Sequence, residues 1–180
     1  SSLKTEIEAE LKKVDFSLSP FNKNSVITHI NNNTDMTPDS LFLYVFNLSK
    51  QISKETHGAF DITVAPLVNA WGFGFKTGNT DSVNVKELLP FVGYNKVKIE
   101  NGKLVKQNKA IVLDASAIAQ GYSADLIAEL FEKNGCENYM IDIGGEIVCK
   151  GKNPKGTNWQ IGIDKPVDDP ANENGELQVV

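Results

Sequence analysis

The sequence predicts an α+β domain in which helices are mixed with antiparallel sheet. Apolar residues recur at helical spacing over 3–14 and again over 41–52. Two short segments that alternate like strands flank Asn101-Gly102, a dipeptide typical of a two-residue hairpin turn. Because hairpins and helices follow one another without strict alternation of strand and helix, a parallel sheet of βαβ units is not predicted.

Composition is that of an ordinary globular domain. Hydrophobic residues make up 41% of the 180 residues and charged residues 23%, which is enough apolar material for one core. The formal net charge of −5 argues against a general nucleic-acid binder, which would carry a basic face. No apolar run approaches the roughly 20 residues that a membrane-spanning helix needs.

Both ends of the sequence suggest that the native chain is longer. Residue 1 is not methionine, so we expect an upstream segment to have been removed, although no signal peptide is recognisable. Residues 177–180 resemble a strand that is just starting, after a polar segment that begins at residue 165. We therefore expect 1–180 to be one partial domain, incomplete at both ends.

Local signals place three helices in the first third of the chain. Ser2 is positioned to cap the first helix, and Ser25 is positioned to cap a short second one. The third helix is predicted to begin at 37–39, with Thr37 as cap, a proline in the first helical position and an acid in the first turn. Gly58 fits the left-handed position just past its end.

The remaining elements follow from the same rules. The sequence predicts a short helix capped by Asn84, a hairpin, a longer helix closed by Gly135, and a tight turn at Gly144-Gly145 between two strands. The predicted ranges are a polar loop at 76–82, a helix at 84–89, hairpin strands at 97–100 and 103–106, a strand at 111–113, a helix at 120–134, and strands at 139–143, 147–150 and 159–164.

Four features have two interpretations each. Cys136 and Cys149 fit one disulfide or two buried thiols, and the second is favoured. His57 fits a structural role at a helix end better than a catalytic one, and His29 fits a surface position better than a metal ligand. The segment 64–74, with a short apolar helix at 66–71, fits either the core or the wall of a pocket for a planar ring.

The stretch from 111 to 121 is the strongest candidate for a binding site. An apolar strand leads into Asp114, and very small side chains then open a helix. A helix start presents unpaired N–H groups and a positive dipole end, both of which favour an anion. The stretch therefore fits either a ledge for a phosphate-bearing ligand, with or without a metal, or a small-residue helix start that only packs against a sheet.

Several motifs together resemble one known family. They are Gly58-Ala59-Phe60-Asp61 with 66–69 and 71–74, the stretch from Leu113-Asp114 to Asp125, and Asp142-Ile143-Gly144-Gly145-Glu146. In this order they are similar to the signatures of the FAD:protein FMN transferases, also called the ApbE or thiamine-biosynthesis lipoprotein family. The segment 19–31 is similar to that family's N-terminal segment. The resemblance covers nearly the whole chain and implies an ApbE-like fold.

The resemblance implies a specific chemistry. Such enzymes bind FAD with Mg²⁺, cleave its pyrophosphate and attach FMN to a Thr or Ser hydroxyl of an acceptor flavoprotein, with AMP as the leaving group. Some relatives act instead as FAD pyrophosphatases. A flavin-binding module without transferase activity, or a structural domain of an envelope lipoprotein, are the alternatives. The family also implies the periplasmic side of a bacterial membrane, with a lipid anchor that is absent from this chain.

The resemblance also implies site residues by position. Phe21, where the family often has Tyr, would contact the flavin or adenine, and Gln120 lies where Lys or Glu is common. The Ala117 carbonyl would be a ligand of the metal. A His-containing motif and a later Asp and Thr, which complete the family's site, are expected beyond Val180. The positions that would contact FAD are Phe21, Ala59, Phe60, Asp61, Asp114 and Gln120.

Overall fold

The computed structural model describes residues 2–75, 83–164 and 177–179. The predicted loops at 76–82 and 165–176, and residue 180, lie outside the described residues. The helices are α1 (Leu3–Leu18), α2 (Val26–Asn31), α3 (Ser40–Glu55), α4 (Ala65–Ala70), α5 (Val85–Leu88) and α6 (Ser116–Lys133), with 3₁₀ turns at Leu89–Phe91 and Tyr94–Lys96. The strands are β1 (Val97–Glu100), β2 (Lys103–Lys106), β3 (Tyr139–Ile143), β4 (Glu146–Lys150), β5 (Gly162–Asp164) and β6 (Leu177–Val179).

The described strands pair as three antiparallel two-stranded sheets, which confirms the α+β prediction. Strands β1 and β2 form the predicted hairpin, with Glu100 opposite Lys103 across the Asn101-Gly102 turn. Strands β3 and β4 pair around Gly144 and Gly145, both of which have the positive φ that the predicted tight turn requires. Strand β6 pairs with β5, as expected of a strand at the end of the sequence.

Two buried clusters hold these elements together. In the smaller one, α6 packs on the β3–β4 hairpin through Ala124, Ile127, Ala128, Tyr139 and Ile141. The larger one joins α1, α2 and α3 to the first hairpin and to the segment 111–115, and its fully buried members include Ile27, Ile30, Phe42, Val45, Ile62, Val97, Leu104, Ile111 and Leu113.

The first two helix caps form as predicted. The Ser2 hydroxyl accepts a hydrogen bond from the Thr5 amide at 3.3 Å, and the Ser25 hydroxyl accepts one from the Thr28 amide at 3.2 Å. Ser25 is also buried and donates to the Ser19 carbonyl at 2.6 Å. This second bond ties the start of α2 to the chain that leaves α1.

The start of α3 was predicted two residues too early. Asp39, and not Thr37, is the capping residue: its Oδ1 accepts from the Phe42 amide at 2.7 Å and from the Ser17 hydroxyl at 2.8 Å. Ser17 is buried in α1, so a tertiary contact selects the cap. Pro38 consequently lies before the cap rather than in the first helical turn.

Two further predictions about elements were wrong, and one was right in part. Residues 111–113 are not in a strand, because the side chain of Asn31 takes the backbone hydrogen bonds of Leu113. Helix α6 begins at Ser116, which confirms the helix start predicted at the small side chains after Asp114, whereas the range predicted from the apolar stripe began four residues too late, at 120. Strand β5 begins at 162 instead of 159, because the Trp159 indole turns back and donates to the Lys150 carbonyl at 2.9 Å.

The cysteines form neither the disulfide nor the pair of buried thiols that the sequence suggested. Both are free; Cys136 is half-buried and Cys149 is exposed. Cys149 lies opposite Met140 on the outer face of the β3–β4 hairpin, and the Met140 side chain is also exposed. In the part of the chain that the structure describes, no helix is both long and apolar enough to cross a membrane.

Replacing Asp39 by Ala tests the tertiary cap. We expect the free energy of unfolding of the full-length protein to fall by about 2 kcal/mol, because the helix loses its cap and the buried Ser17 hydroxyl loses its acceptor. Urea unfolding measures the change. Asp39→Asn keeps one acceptor oxygen and is the matched control. A loss below about 0.5 kcal/mol for Asp39→Ala would contradict the assignment.

Lys106 provides a test by pH. Its ammonium donates to the carbonyls of Ile111 at 3.0 Å and Asn31 at 3.4 Å, and burial lowers the pKa of Lys106 from its ordinary value of 10.5 to about 8. Between these two pH values the unfolded chain retains the Lys106 proton and the folded chain loses it. Stability contributed by this group therefore rises with pH across that window.

We expect the stability of the wild type, relative to that of Lys106→Met, to increase by about 1–2 kcal/mol as pH rises from about 8 to 10.5, because solvent screening at this half-buried lysine reduces the effect of the pKa shift. Unfolding in urea at several pH values gives the two curves. Lys103→Met removes an exposed lysine from the same strand and serves as the control. A difference between wild type and Lys106→Met that does not vary with pH would show that Lys106 does not titrate in this window.

Candidate functional site

One cavity of about 500 Å³ collects most of the residues that the sequence singled out. It is bounded by 58–61 on one side, by Asp114, Ser116 and Ala117 on another, and by Phe21 and 73–75 at its mouth. This size lies within the range of small-molecule sites. The geometry therefore brings Phe21, Ala59, Phe60, Asp61, Asp114 and Ala117 together around one space.

The first wall depends on two left-handed residues at the end of α3. His57 has φ 53° and Gly58 has φ 86°, which turns the chain back toward the body of the protein. The Gly58 amide donates to the Ser53 carbonyl at 2.7 Å, and the Phe60 amide donates to the Thr56 hydroxyl at 3.2 Å. These bonds fix the loop so that Ala59 is exposed and Phe60 half-buried. His57 itself does not line the cavity, which favours its structural interpretation.

Asp61 is engaged by its own chain. Its carboxylate accepts from the Thr63 amide at 2.8 Å, the Thr63 hydroxyl at 2.6 Å and the Tyr94 amide at 2.7 Å. Thr63 is buried and also accepts from the Gly93 amide at 2.7 Å. Asp61 therefore binds this wall to the 93–94 turn, and most of its acceptor capacity is used before any ligand arrives.

Lys50 reinforces the same junction from α3. Its ammonium donates to the carbonyls of Tyr94 at 2.7 Å and Val97 at 3.0 Å. Burial lowers the pKa of Lys50, and the nearby Asp61 carboxylate partly opposes that shift. The Lys50 ammonium thus binds the Tyr94 carbonyl, while the Asp61 carboxylate binds the Tyr94 amide.

The second wall is the predicted ledge. The Asp114 amide donates to the Ile62 carbonyl at 2.8 Å, which joins the ledge directly to the first wall. Asp114 Oδ1 accepts from the Ser116 amide at 2.8 Å. Ala115 is buried, whereas Ser116 and Ala117 are exposed, so α6 presents small side chains and bare backbone to the cavity.

Aromatic side chains form the mouth of the cavity. Phe21 is 76% exposed and meets the ring of Phe75 edge-on, with ring centroids 6.4 Å apart. Phe73 is 87% exposed. Val64, Leu67 and Val68 line the interior, so the apolar segment is a pocket wall and not simply core. The sequence predicted neither the exposure of Phe73 nor the contact between Phe75 and Phe21. A run of apolar residues does not show whether they lie at the rim of a cavity or in the core.

Gln120 lies in an adjoining groove instead of the main cavity. This groove, of about 430 Å³, shares Phe21 and Ser116 with the cavity and lies between the end of α1 and the start of α6. Gly144 lies directly against the Gln120 amide, and a side chain at that position would collide with it. The third motif therefore contacts the second motif at Gln120, a contact that the sequence did not predict.

Ala117 has no full set of metal ligands around it in the described ranges. There, no group of three or more His, Cys, Asp or Glu side chains is arranged to hold a metal ion. Mg²⁺ requires about six oxygen ligands in near-octahedral geometry. The Ala117 carbonyl and the Asp114 carboxylate are oxygen donors of the correct kind, but they do not complete such a site.

Comparison with known proteins identifies the family. The model of the ApbE family matches residues 1–180. The chain belongs to the ApbE family. This confirms the resemblance that the motifs indicated.

Relatives named FAD:protein FMN transferase are similar over most of this chain. The one from Haemophilus influenzae is 38% identical over 172 residues, which is 89% of this chain and 50% of the relative. The one from Vibrio cholerae is 36% identical over 172 residues, covering 92% of this chain and 51% of the relative. The chain thus spans about half the length of these curated relatives.

Solved ApbE structures are similar in fold as well. Flavin transferase ApbE from Vibrio cholerae superimposes with a TM-score of 0.87 at 32% identity, covering 98% of this chain and 58% of that one. The apo form of flavinyl transferase ApbE from Pseudomonas stutzeri gives 0.80 at 30% identity, covering 89% of this chain and 56% of that one. The expected ApbE-like fold is confirmed.

Replacing Asp61 by Asn separates its structural role from ligand contact. We expect unfolding to become about 1–3 kcal/mol easier, because Asn places an N–H group where Asp61 accepts from Thr63 or Tyr94. Urea unfolding of the full-length protein measures this. Asp35→Asn is the control, since Asp35 is exposed and accepts from the Thr37 amide in a similar turn. Unchanged stability with lost flavin binding would assign Asp61 to the ligand instead.

Proposed function

We propose that the full-length protein containing this chain is an FAD:protein FMN transferase. The proposal is supported by the names of its relatives and, above all, by one cavity that combines an aromatic mouth with a ledge of bare backbone at the start of α6. An isoalloxazine or adenine ring suits the apolar side, and a pyrophosphate suits the helix start. FAD carries both chemical parts in one molecule.

The reaction proposed is a phosphoryl transfer. The hydroxyl oxygen of a Thr or Ser in an acceptor flavoprotein attacks the phosphorus on the FMN side of the pyrophosphate. The bond from that phosphorus to the bridging oxygen breaks, AMP leaves, and the hydroxyl proton is removed by a base or by solvent. Catalysis of this type depends mainly on positioning and electrostatic stabilisation.

The ledge residues have distinct parts in this proposal. Helix α6 has 18 residues, so its first turn carries a substantial positive dipole end. Within the described residues the Ala117 amide donates no hydrogen bond, which leaves it available to a phosphate oxygen. Asp114 has one oxygen beyond the bond to Ser116, suited to a hydroxyl or ring N–H of the nucleotide or to a cation.

Mg²⁺ is part of the proposal for the longer protein. The Ala117 carbonyl is the ligand that we propose from this chain, and the remaining oxygen ligands would come from elsewhere in the full-length sequence. When bound, the cation would neutralise the pyrophosphate charge. We also propose, from the family resemblance alone, a periplasmic location with a lipid anchor.

An assay with three readouts tests the proposal. Full-length protein is incubated with FAD, Mg²⁺ and an acceptor flavoprotein that carries the target Thr, after its intact mass has been measured. Flavin covalently bound to the acceptor supports the transferase. Release of FMN and AMP without labelling indicates an FAD pyrophosphatase, and tight binding of FAD without turnover indicates a flavin-binding module.

Asp114→Ala tests the ledge. We expect the Kd for FAD to rise at least about tenfold, because a hydrogen bond to a charged group is worth about 1.5–3 kcal/mol. Flavin fluorescence titration measures the Kd. Asp35→Ala removes an exposed aspartate that bonds an amide two residues ahead in the same way, at 2.9 Å against 2.8 Å for Asp114. Equal FAD affinity in both variants would remove Asp114 from the site.

A further inference from the structure

The segment that carries the ledge is held by a side chain and not by a strand. Asn31, the last residue of α2, lies 82 positions before Leu113. The Leu113 amide donates to Asn31 Oδ1 at 2.8 Å, and Asn31 Nδ2 donates to the Leu113 carbonyl at 2.9 Å. One amide side chain therefore satisfies both backbone groups of a buried residue, as a neighbouring strand would.

Only an amide side chain can make this pair of bonds at this length. Asn offers one acceptor and two donors, whereas Asp in its ionised form only accepts and an aliphatic side chain does neither. Leu113 is fully buried, so losing either bond leaves a backbone group without a partner and without water. The geometry thus requires asparagine at position 31.

The two hydrogen bonds between the Asn31 side chain and the Leu113 backbone form a clamp, and further contacts hold both of its ends. Lys106 donates to the carbonyls of Ile111 and Asn31, and so ties the ledge segment to the end of α2 a second time. On the other side, the fully buried side chains of Ile27 and Ile30 fix α2 in the core. The position of Asn31 is consequently fixed relative to the core. Asn31 does not itself line the cavity.

The clamp also affects the Ala117 amide, which is proposed to bind a phosphate oxygen. In a continuing helix the Ala117 amide would donate to the Leu113 carbonyl, four residues earlier. Asn31 Nδ2 donates to that carbonyl instead, and the Ala117 amide has no partner in the part of the chain described. Asp114, the next residue after Leu113, is placed by the same contact.

From these contacts we infer that Asn31 is a positioning residue for the nucleotide, acting through the Leu113 backbone on Asp114 and the free Ala117 amide. This inference rests on the proposed function. Its effect is on the affinity for the nucleotide, because the groups that it places are those proposed to contact FAD.

The test compares Asn31→Asp with Asn33→Gly in the full-length protein. Asn31→Asp has the same shape but loses the donor to Leu113. Asn33 belongs to the same turn and bonds the carbonyls of Asn31 and Lys109, outside the ledge, and glycine tolerates its φ of 57°. FAD affinity, the KM for FAD and kcat are measured well below the unfolding midpoint of each variant.

We expect Asn31→Asp to raise the Kd and KM for FAD about tenfold or more, while Asn33→Gly leaves both within about twofold. A merely structural role would lower kcat through a smaller folded fraction and leave the KM unchanged. Hydrogen exchange gives a readout independent of flavin: the peptide spanning 111–119 should exchange faster in Asn31→Asp only. If Asn31→Asp does not fold, Lys106→Met loosens the same clamp and should raise the KM in the same direction.

The outcomes separate the inference from the function. If the wild type binds and processes FAD but Asn31→Asp matches it in Kd, KM and exchange, the positioning role is overturned and the proposed function stands. If the wild type neither binds nor processes FAD, the proposed function fails together with the role of Asn31 in it. Faster exchange at 111–119 in that case would identify the clamp as purely structural.

Discussion

The hydrogen bond from the Asp114 amide to the Ile62 carbonyl, 2.8 Å long, joins the two walls of the cavity. Each wall comes from a different part of the chain, and each is anchored by a fully buried neighbour, Ile62 on one side and Leu113 on the other. Because these neighbours are buried, a backbone group that lost its partner there would have no water to replace it, which favours keeping the two walls joined. Asn31 and Lys106 belong to the same arrangement, since they fix the ledge from the side away from the cavity.

The two aspartates of the cavity differ in what remains available to a ligand. Asp61 accepts three hydrogen bonds from its own chain, and Asp114 accepts one. Both positions resemble family sites, yet their geometry differs. Asp61 joins the first wall to the 93–94 turn, and Asp114 keeps one carboxylate oxygen for a ligand. A loss of flavin binding on changing Asp61 is therefore interpretable only beside a measurement of stability.

Sequence reasoning succeeded where a local signal decides the structure. The caps at Ser2 and Ser25, the turn at Asn101-Gly102 and the positive φ at Gly58 all follow from neighbouring residues. It failed where a distant residue decides. Ser17 moves the cap of α3 to Asp39, and Asn31 replaces the strand partner of 111–113; an asparagine at a helix end gives no sign of a partner 82 residues away. The family motifs predicted which residues gather at the cavity, but not that Gln120 lies in the adjoining groove against Gly144.

The described residues are equipped to bind and orient a ligand more than to move a proton. The cavity is lined by aromatic and aliphatic side chains, small residues and two aspartates, and His57 does not reach it. Of the two carboxylates, only Asp114 has an oxygen free of bonds to the described chain. A cavity with few acid–base groups is compatible with phosphoryl transfer, because the transition state of that reaction is stabilised mainly by positioning and charge neutralisation. In the function proposed above, this chain, which spans about half the length of its relatives, would supply a surface that aligns the nucleotide, and Asn31 would set the position of that surface.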